Sequence, residues 1–150
     1  MHDAAELHYL ARPATISSDP NTAVEFTPVR EFLMDEPACK IFWELVESQY
    51  RTRSKFLTIW PCVSYLALHR DASGTLDGFL LVSSPVNWQI DYVTVRPDSR
   101  GQGIATQLVR AALREAAQRD VPYVMLTSHA GLRPLYESCG FTVVGTAVPV

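Results

Sequence analysis

Between Gln89 and Thr127 the chain reads as an apolar strand, a glycine-rich turn, an amphipathic helix and a second apolar strand. A strand, helix, strand order implies parallel neighbours joined by a right-handed crossover. The first strand, Gln89 to Val95, is halted by Pro97. From Ile104 to about Arg119 one stripe carries Ile104, Ala105, Leu108, Val109, Ala112, Leu113 and Ala116, with Arg110, Arg114 and Arg119 outside it. That spacing predicts a helix packed on a sheet. Val121 to Thr127 is the returning strand by its apolar run.

The turn itself, within V-T-V-R-P-D-S-R-G-Q-G-I-A-T-Q from Val93 to Gln107, has chemistry of its own. Gly101 and Gly103 expose backbone amides where a helix N-terminus already carries partial positive charge, which makes a cradle for a phosphate. Arg96 and Arg100 flank it and add longer-range charge. A Walker loop is excluded, because no Gly-Lys pair is present. A dinucleotide fingerprint fits poorly: Thr106 stands where it needs Gly or Ala, and the following strand ends in Leu126-Thr127-Ser128 without a ribose-binding acid. The remaining plain reading is a tight connection whose glycines serve backbone geometry alone.

The rest of the chain supplies further strands and helices. Ser17-Ser18-Asp19-Pro20-Asn21 separates a short strand, His8 to Ile16, from the body, so residues 1–22 read as an extension and 23–150 as one domain. Ala23 to Val29 reads as a strand. Pro37 to Tyr50 reads as a helix with Ile41, Phe42, Leu45 and Val46 on one face. Arg51 to Trp60 fits either a short helix or a loop. Cys62 to His69 and Gly78 to Ser83 form a hairpin through Asp71-Ala72-Ser73-Gly74, and Pro85 and Asn87 mark the turn before Gln89. Leu132 to Ser138 is a short helix stopped by Gly140, and Phe141 to Val144 is a last strand. The expected class is therefore α+β, a three-layer arrangement with a mixed, mostly antiparallel sheet.

At 150 residues and 47% hydrophobic composition, the chain suits a single core. A net charge of −3 argues against bulk nucleic-acid binding, and no segment reads as a leader or a membrane span, so the expectation is a cytoplasmic protein with neither kind of partner. Cys39, Cys62 and Cys139 form no paired motif and read as small buried free thiols. His2, His8, His69 and His129 lack metal-ligand spacing, so no metal is expected. Arg51, Arg53 and Lys55 make the one obvious basic cluster, read as a solvated patch.

The spacing Arg100-x-x-Gly103-x-Ala105 resembles the pyrophosphate-binding signature of the GCN5-related N-acetyltransferase (GNAT) superfamily. V-T-V-R-P-D immediately upstream and Leu135-Tyr136-Glu137-Ser138-Cys139-Gly140-Phe141 downstream are similar to two further family blocks, in the family's order. The likeness covers about Cys62 to Gly145 and is only topological from Ala23 to Trp60. It implies a GNAT-type sheet with helices on both faces and a splayed parallel strand pair whose gap receives the pantetheine arm of acetyl-CoA.

By position, the resemblance implies that the backbone of Val93, Thr94 and Val95 pairs with that arm. The amides of Gly101, Gln102, Gly103, Ile104, Ala105 and Thr106 would hold the pyrophosphate with help from Arg100. Tyr136 matches the family's general acid toward the sulfur, and the Val95 amide would bind the carbonyl oxygen. His129 stands where many relatives carry a pantetheine-binding Asn. For the base, alternation places Gln89, Asp91, Val93 and Val95 on one side of the strand, and Asp91 is the ionisable member.

The family usually finishes with a long hairpin whose last strand inserts between its predecessors. Here the chain runs only from one strand through Gly145-Thr146-Ala147 to Val150, so either His8 to Ile16 or a neighbouring subunit is expected to supply the missing strand. The implied activity is direct transfer of an acetyl group from acetyl-CoA to the primary amine of a small-molecule or peptide acceptor in a ternary complex, with a homodimer as one assembly. The alternative is a non-catalytic acyl-CoA-binding module. Phe42, Trp43, Tyr50, Phe56 and Trp60 are read mainly as core, with an acceptor pocket as their other use.

Overall fold

The computed structural model describes residues 7–13, 24–50, 53–84 and 88–147. Its elements in chain order are β1 (Leu7–Pro13), β2 (Val24–Pro28), α1 (Val29–Phe32), α2 (Glu36–Gln49), α3 (Arg53–Ile59), β3 (Val63–Arg70), β4 (Leu76–Ser83), β5 (Trp88–Val95), α4 (Ile104–Gln118), β6 (Tyr123–His129), α5 (Arg133–Ser138) and β7 (Thr142–Ala147). Short 3₁₀ turns lie at Trp60–Cys62, Pro97–Ser99 and Ala130–Leu132. The strands form one sheet in the order β2-β3-β4-β5-β6-β1-β7. β5 and β6 run parallel as the crossover requires, and the other neighbours are antiparallel.

Local chemistry explains most boundaries. Asp35 caps α2 by accepting the Ala38 amide, and Pro37 sits in the first turn, where its missing N–H costs nothing. The hairpin between β3 and β4 is tied by Asp71, whose carboxylate accepts from the amides of Ser73 and Thr75. Gly140 takes φ 91° after α5, and Phe141 folds back so that its amide meets the Tyr136 carbonyl.

Several expected bounds move. Val29 opens the short helix α1, which the sequence reading merged into the preceding strand, and the ambiguous stretch resolves as α3 plus a 3₁₀ turn. The strand expected to begin at Val121 begins at Tyr123, and the last strand extends to Ala147. Residues 14–16, 85–87 and Arg51 lie outside the described residues, as do the side chains of Arg53 and Lys55. Of the three cysteines only Cys139 is buried; Cys62 is exposed. No helix among the described residues is long and apolar enough to cross a membrane.

Two cores flank the sheet. On one face α4 and α5 cover Leu80, Val82, Trp88, Ile90, Val124 and Leu126. Within α4, Ala111 is buried and Ala105 is not, so the buried stripe is rotated slightly from the expected one. On the other face α2 and α3 bring Phe42, Leu45, Val46 and Phe56 onto Leu66, Leu68, Phe79 and Leu81. The strand missing from the far side is supplied by β1, which pairs with β6 along one edge and β7 along the other.

The strict alternation expected along β5 is broken. Leu81 faces Tyr92 while the next residue, Val82, faces Ile90, which leaves Asp91 as an extra residue in a β-bulge. Trp88 and Ile90 therefore share the α4 face with Val93 and Val95. Asp91 instead reaches Ser83, the neighbour of Gln89 across the ladder, so it does not share a side with Val93 and Val95.

Candidate functional site

Parallel pairing between β5 and β6 is confined to Trp88 with Val124, Gln89 with Met125 and Ile90 with Leu126. Past these rungs the strands part, and a cleft of about 660 Å³ opens between the end of β5, the turn into α4, and Tyr136. Gln49 and Tyr50, at the end of α2, line it from the other face of the sheet.

Main-chain polarity within the gap follows from one bond. The Arg96 amide donates to the Asp77 carbonyl at 2.7 Å, so Arg96 faces β4. Successive residues of a strand turn their peptide groups to opposite sides, which aims Val95 and Val93 into the gap and turns the Thr94 backbone toward β4. Thr94 enters the cleft through its hydroxyl, which is hydrogen-bonded to the Tyr50 phenol.

At the mouth of the cleft, Gly101 and Gly103 adopt φ 80° and 75°. A Cβ at either would meet nothing within 4 Å, so it is the left-handed backbone that calls for glycine there. Gly103 is the N-cap of α4, offers no side-chain cap, and is followed by no acidic residue in the first turn. The leading amides of a fifteen-residue helix thus face the cleft without a side-chain cap among the described residues. Gly78 sets how close α4 comes: a Cβ there would lie 3.1 Å from Ile104 Cγ2 and 3.2 Å from the Thr94 carbonyl.

The two flanking arginines differ. Arg96 is committed to structure: its Nε donates to Asp98, and one terminal nitrogen donates to Asp71 at 3.0 Å and Ser99 at 3.3 Å. The Ser73 hydroxyl, followed by the Thr75 amide and Arg96, holds the Asp71 carboxyl well below the usual range. Arg96 is accordingly a brace between the hairpin and the turn and does not flank the cleft as expected. Arg100 lines the cleft; its Nε donates to the Val95 carbonyl at 3.1 Å and a terminal nitrogen to Gln49 Oε1 at 2.6 Å.

Tyr136 is buried at the cleft wall, its ring edge-on to Phe141. Burial pushes its phenol up to about 12. It therefore stays protonated, as a donor, through the neutral range.

Asp91 lies off the cleft lining, on the α2 and α3 side. Its Oδ2 is buried with no hydrogen-bond partner among the described residues, while the Ser83 hydroxyl donates to the carboxylate. Burial raises its pKa, and the Ser83 bond offsets part of that rise. His129 ends β6, opposite Leu7 of β1, and its side chain lies outside the described residues. Gln102 is exposed and does not line the cleft, whereas Ile104, Ala105 and Thr106 do.

Gln49 was not singled out in the sequence, whereas Tyr50, read mainly as core with an acceptor pocket as its other use, does line the cleft. Tyr50 follows Val46 at helical spacing, which marks it as core, and its phenol does pack against Tyr92 and Phe56. Phe42 and Phe56 are wholly buried core, as read.

Residues 28–141 match the family model described as the acetyltransferase (GNAT) family. Among solved structures, the chain is similar to a GCN5-related N-acetyltransferase from Sphaerobacter thermophilus, with TM-score 0.67 and 21% identity over 97% of this chain and 50% of that one. A ribosomal-protein-alanine N-acetyltransferase from Brucella melitensis biovar Abortus aligns with TM-score 0.61 and 21% identity, covering 85% of this chain and 96% of that one. A tandem GNAT protein from the clavulanic acid biosynthesis pathway aligns with TM-score 0.61 and 18% identity over 99% of this chain. The chain spans 50% of the Sphaerobacter protein and 55% of the tandem one.

Proposed function

The chain belongs to the GNAT acetyltransferase family, and from that premise we propose that it transfers the acetyl group of acetyl-CoA to a primary amine by direct attack within a ternary complex. The observation that carries the reading is the splayed gap, where the inward peptide groups of Val93 and Val95 lead directly to the uncapped N-terminus of α4. Such a gap fits an extended amide-bearing arm ending in a diphosphate, because it offers strand-like pairing at one end and anion-binding amides at the other.

When bound, acetyl-CoA would supply an activated thioester carbonyl and a thiol leaving group. Gly101, Gly103 and the first-turn amides of Ile104, Ala105 and Thr106 would hold the diphosphate, and Arg100 would add charge. The Val95 amide, turned into the gap, would polarise the carbonyl. Asp91, which is not among the residues that line the cleft, would relay a proton from the acceptor's ammonium through water. Its burial makes it a stronger base than a solvated aspartate, and its Oδ2 has no hydrogen-bond partner among the described residues. Tyr136 would return a proton to the departing thiolate.

The deciding experiment combines calorimetry with acetyl-CoA and a thiol-release assay over polyamines, amino acids, aminoglycosides and N-terminal peptides. Turnover with at least one class is expected. Tyr136→Phe should lower kcat by about 100-fold and leave cofactor affinity unchanged. Tight acetyl-CoA binding with no turnover across the panel would replace the enzyme reading with that of a binding module.

A further inference from the structure

We propose that Gln49 is a positioning residue that sets cofactor affinity by holding Arg100 in a competing set of bonds. The proposal rests on the reading above that the cleft takes a diphosphate-bearing cofactor. Arg100 immediately precedes the glycine turn, and among the described residues two donors of its guanidinium are engaged by acceptors outside that turn. Nε donates to the Val95 carbonyl at 3.1 Å and a terminal nitrogen donates to Gln49 Oε1 at 2.6 Å. A guanidinium presents its donors as a planar fork, so orienting it on one pair of acceptors sets the direction of the rest.

Both partners add to the hold. Gln49 is the last residue of α2, a fourteen-residue helix with no basic residue in its final turn. The negative end of that helix receives its cation from Arg100, across the cleft. The Val95 carbonyl faces the gap, where a pantetheine arm paired to β5 would need it as an acceptor. Turning Arg100 toward a diphosphate at the N-terminus of α4 therefore gives up Gln49 and frees Val95 together. Gln49 thus opposes cofactor binding, the reverse of what a lining residue usually does.

The end of α2 has a second attachment. Tyr50 is bonded to Thr94 and packed against Tyr92, so a change at Gln49 leaves the helix end anchored to β5. The effect of Gln49 on binding can be separated from its effect on folding for that reason.

The test is a double-mutant cycle read by titration calorimetry with CoA, with thermal unfolding as the control on folding. Gln49→Ala should tighten CoA binding by about 3- to 10-fold, the range for a charge-assisted bond weakened by exposure, and the gain should shrink at high salt. Arg100→Ala should weaken binding, and adding Gln49→Ala to it should change nothing further. Unchanged or weaker binding by Gln49→Ala would overturn the proposal, as would a gain that persists without Arg100. Failure of the wild-type chain to bind CoA would instead remove the acyl-CoA reading on which the proposal stands.

Discussion

Replacing Asp91 by asparagine should stabilise the protein while disabling it. The carboxylate occupies a β-bulge with Oδ2 buried and unpartnered among the described residues. An unsatisfied buried polar group costs about 1–3 kcal/mol, more when charged. The side-chain amide of Asp91→Asn keeps an acceptor for the Ser83 hydroxyl and removes the charge, so about 1 kcal/mol should be recovered, equivalent to roughly 2–4 °C in a domain of this size. The direction with pH follows from burial, which raises the folded-state pKa above its unfolded value. Below about pH 4 the residue is protonated in both states and the charge penalty is absent. As pH rises through the folded pKa the penalty appears, so stability favourable to the protonated carboxyl is lost. Thermal unfolding from pH 4 to pH 9 should therefore show wild type and Asp91→Asn converging in acid and separating toward neutrality, the variant higher. In parallel, kcat/KM should fall by at least about 100-fold if Asp91 serves as the base. A stability difference that is independent of pH, or a variant less stable at pH 8, would refute the picture of an unpaired buried carboxylate. Unchanged turnover would refute its role as a base.

Other perturbations probe the scaffold around the cleft. Gly103→Ala puts a Cβ on backbone at φ 75°, so it should cost about 1–2 kcal/mol in urea unfolding and weaken CoA binding, without any steric clash to relieve. Gly78→Ala places a methyl group 3.1 Å from Ile104 Cγ2, so it should push the start of α4 off the sheet. A cost of about 1–3 kcal/mol is expected, with CoA affinity reduced and the Tyr136 environment unchanged by fluorescence. Removal of β1, Leu7–Pro13, exposes the facing edges of β6 and β7 and should yield aggregated protein by light scattering. A monodisperse product of unchanged melting temperature would show that β1 is dispensable.

What the sequence revealed was mostly local. The crossover from β5 through α4 to β6 was legible because helical and strand periodicities abut across two glycines, and the stop at Gly140 because a left-handed residue follows a short helix. The bulge at Asp91 was not, since alternation assumes that no residue is inserted and the register is set by β4. A charge pattern alone could not separate the two arginines near the turn. Arg96 finds Asp71, which lies across a hairpin in the chain, whereas Arg100 finds Gln49 in another layer. Gln49 escaped notice for the same reason, because its partner at the turn is distant in sequence. The family blocks pointed to the glycine turn and to Tyr136, which line one cleft, and not to Gln49 on its other wall, as the end of α2 carries no comparable motif.

The placing of β1 also bears on the order of assembly. Its two neighbours in the sheet, β6 and β7, come much later in the chain: Leu7 lies opposite His129 on one side and Ala147 on the other. During translation β1 must wait unpaired until β6 and β7 have emerged. The contacts it then makes span more of the sequence than any others in the sheet, which makes their closure slow. Chaperone dependence and the yield of active protein should accordingly respond to changes in β1 that leave the equilibrium stability of the finished fold almost untouched.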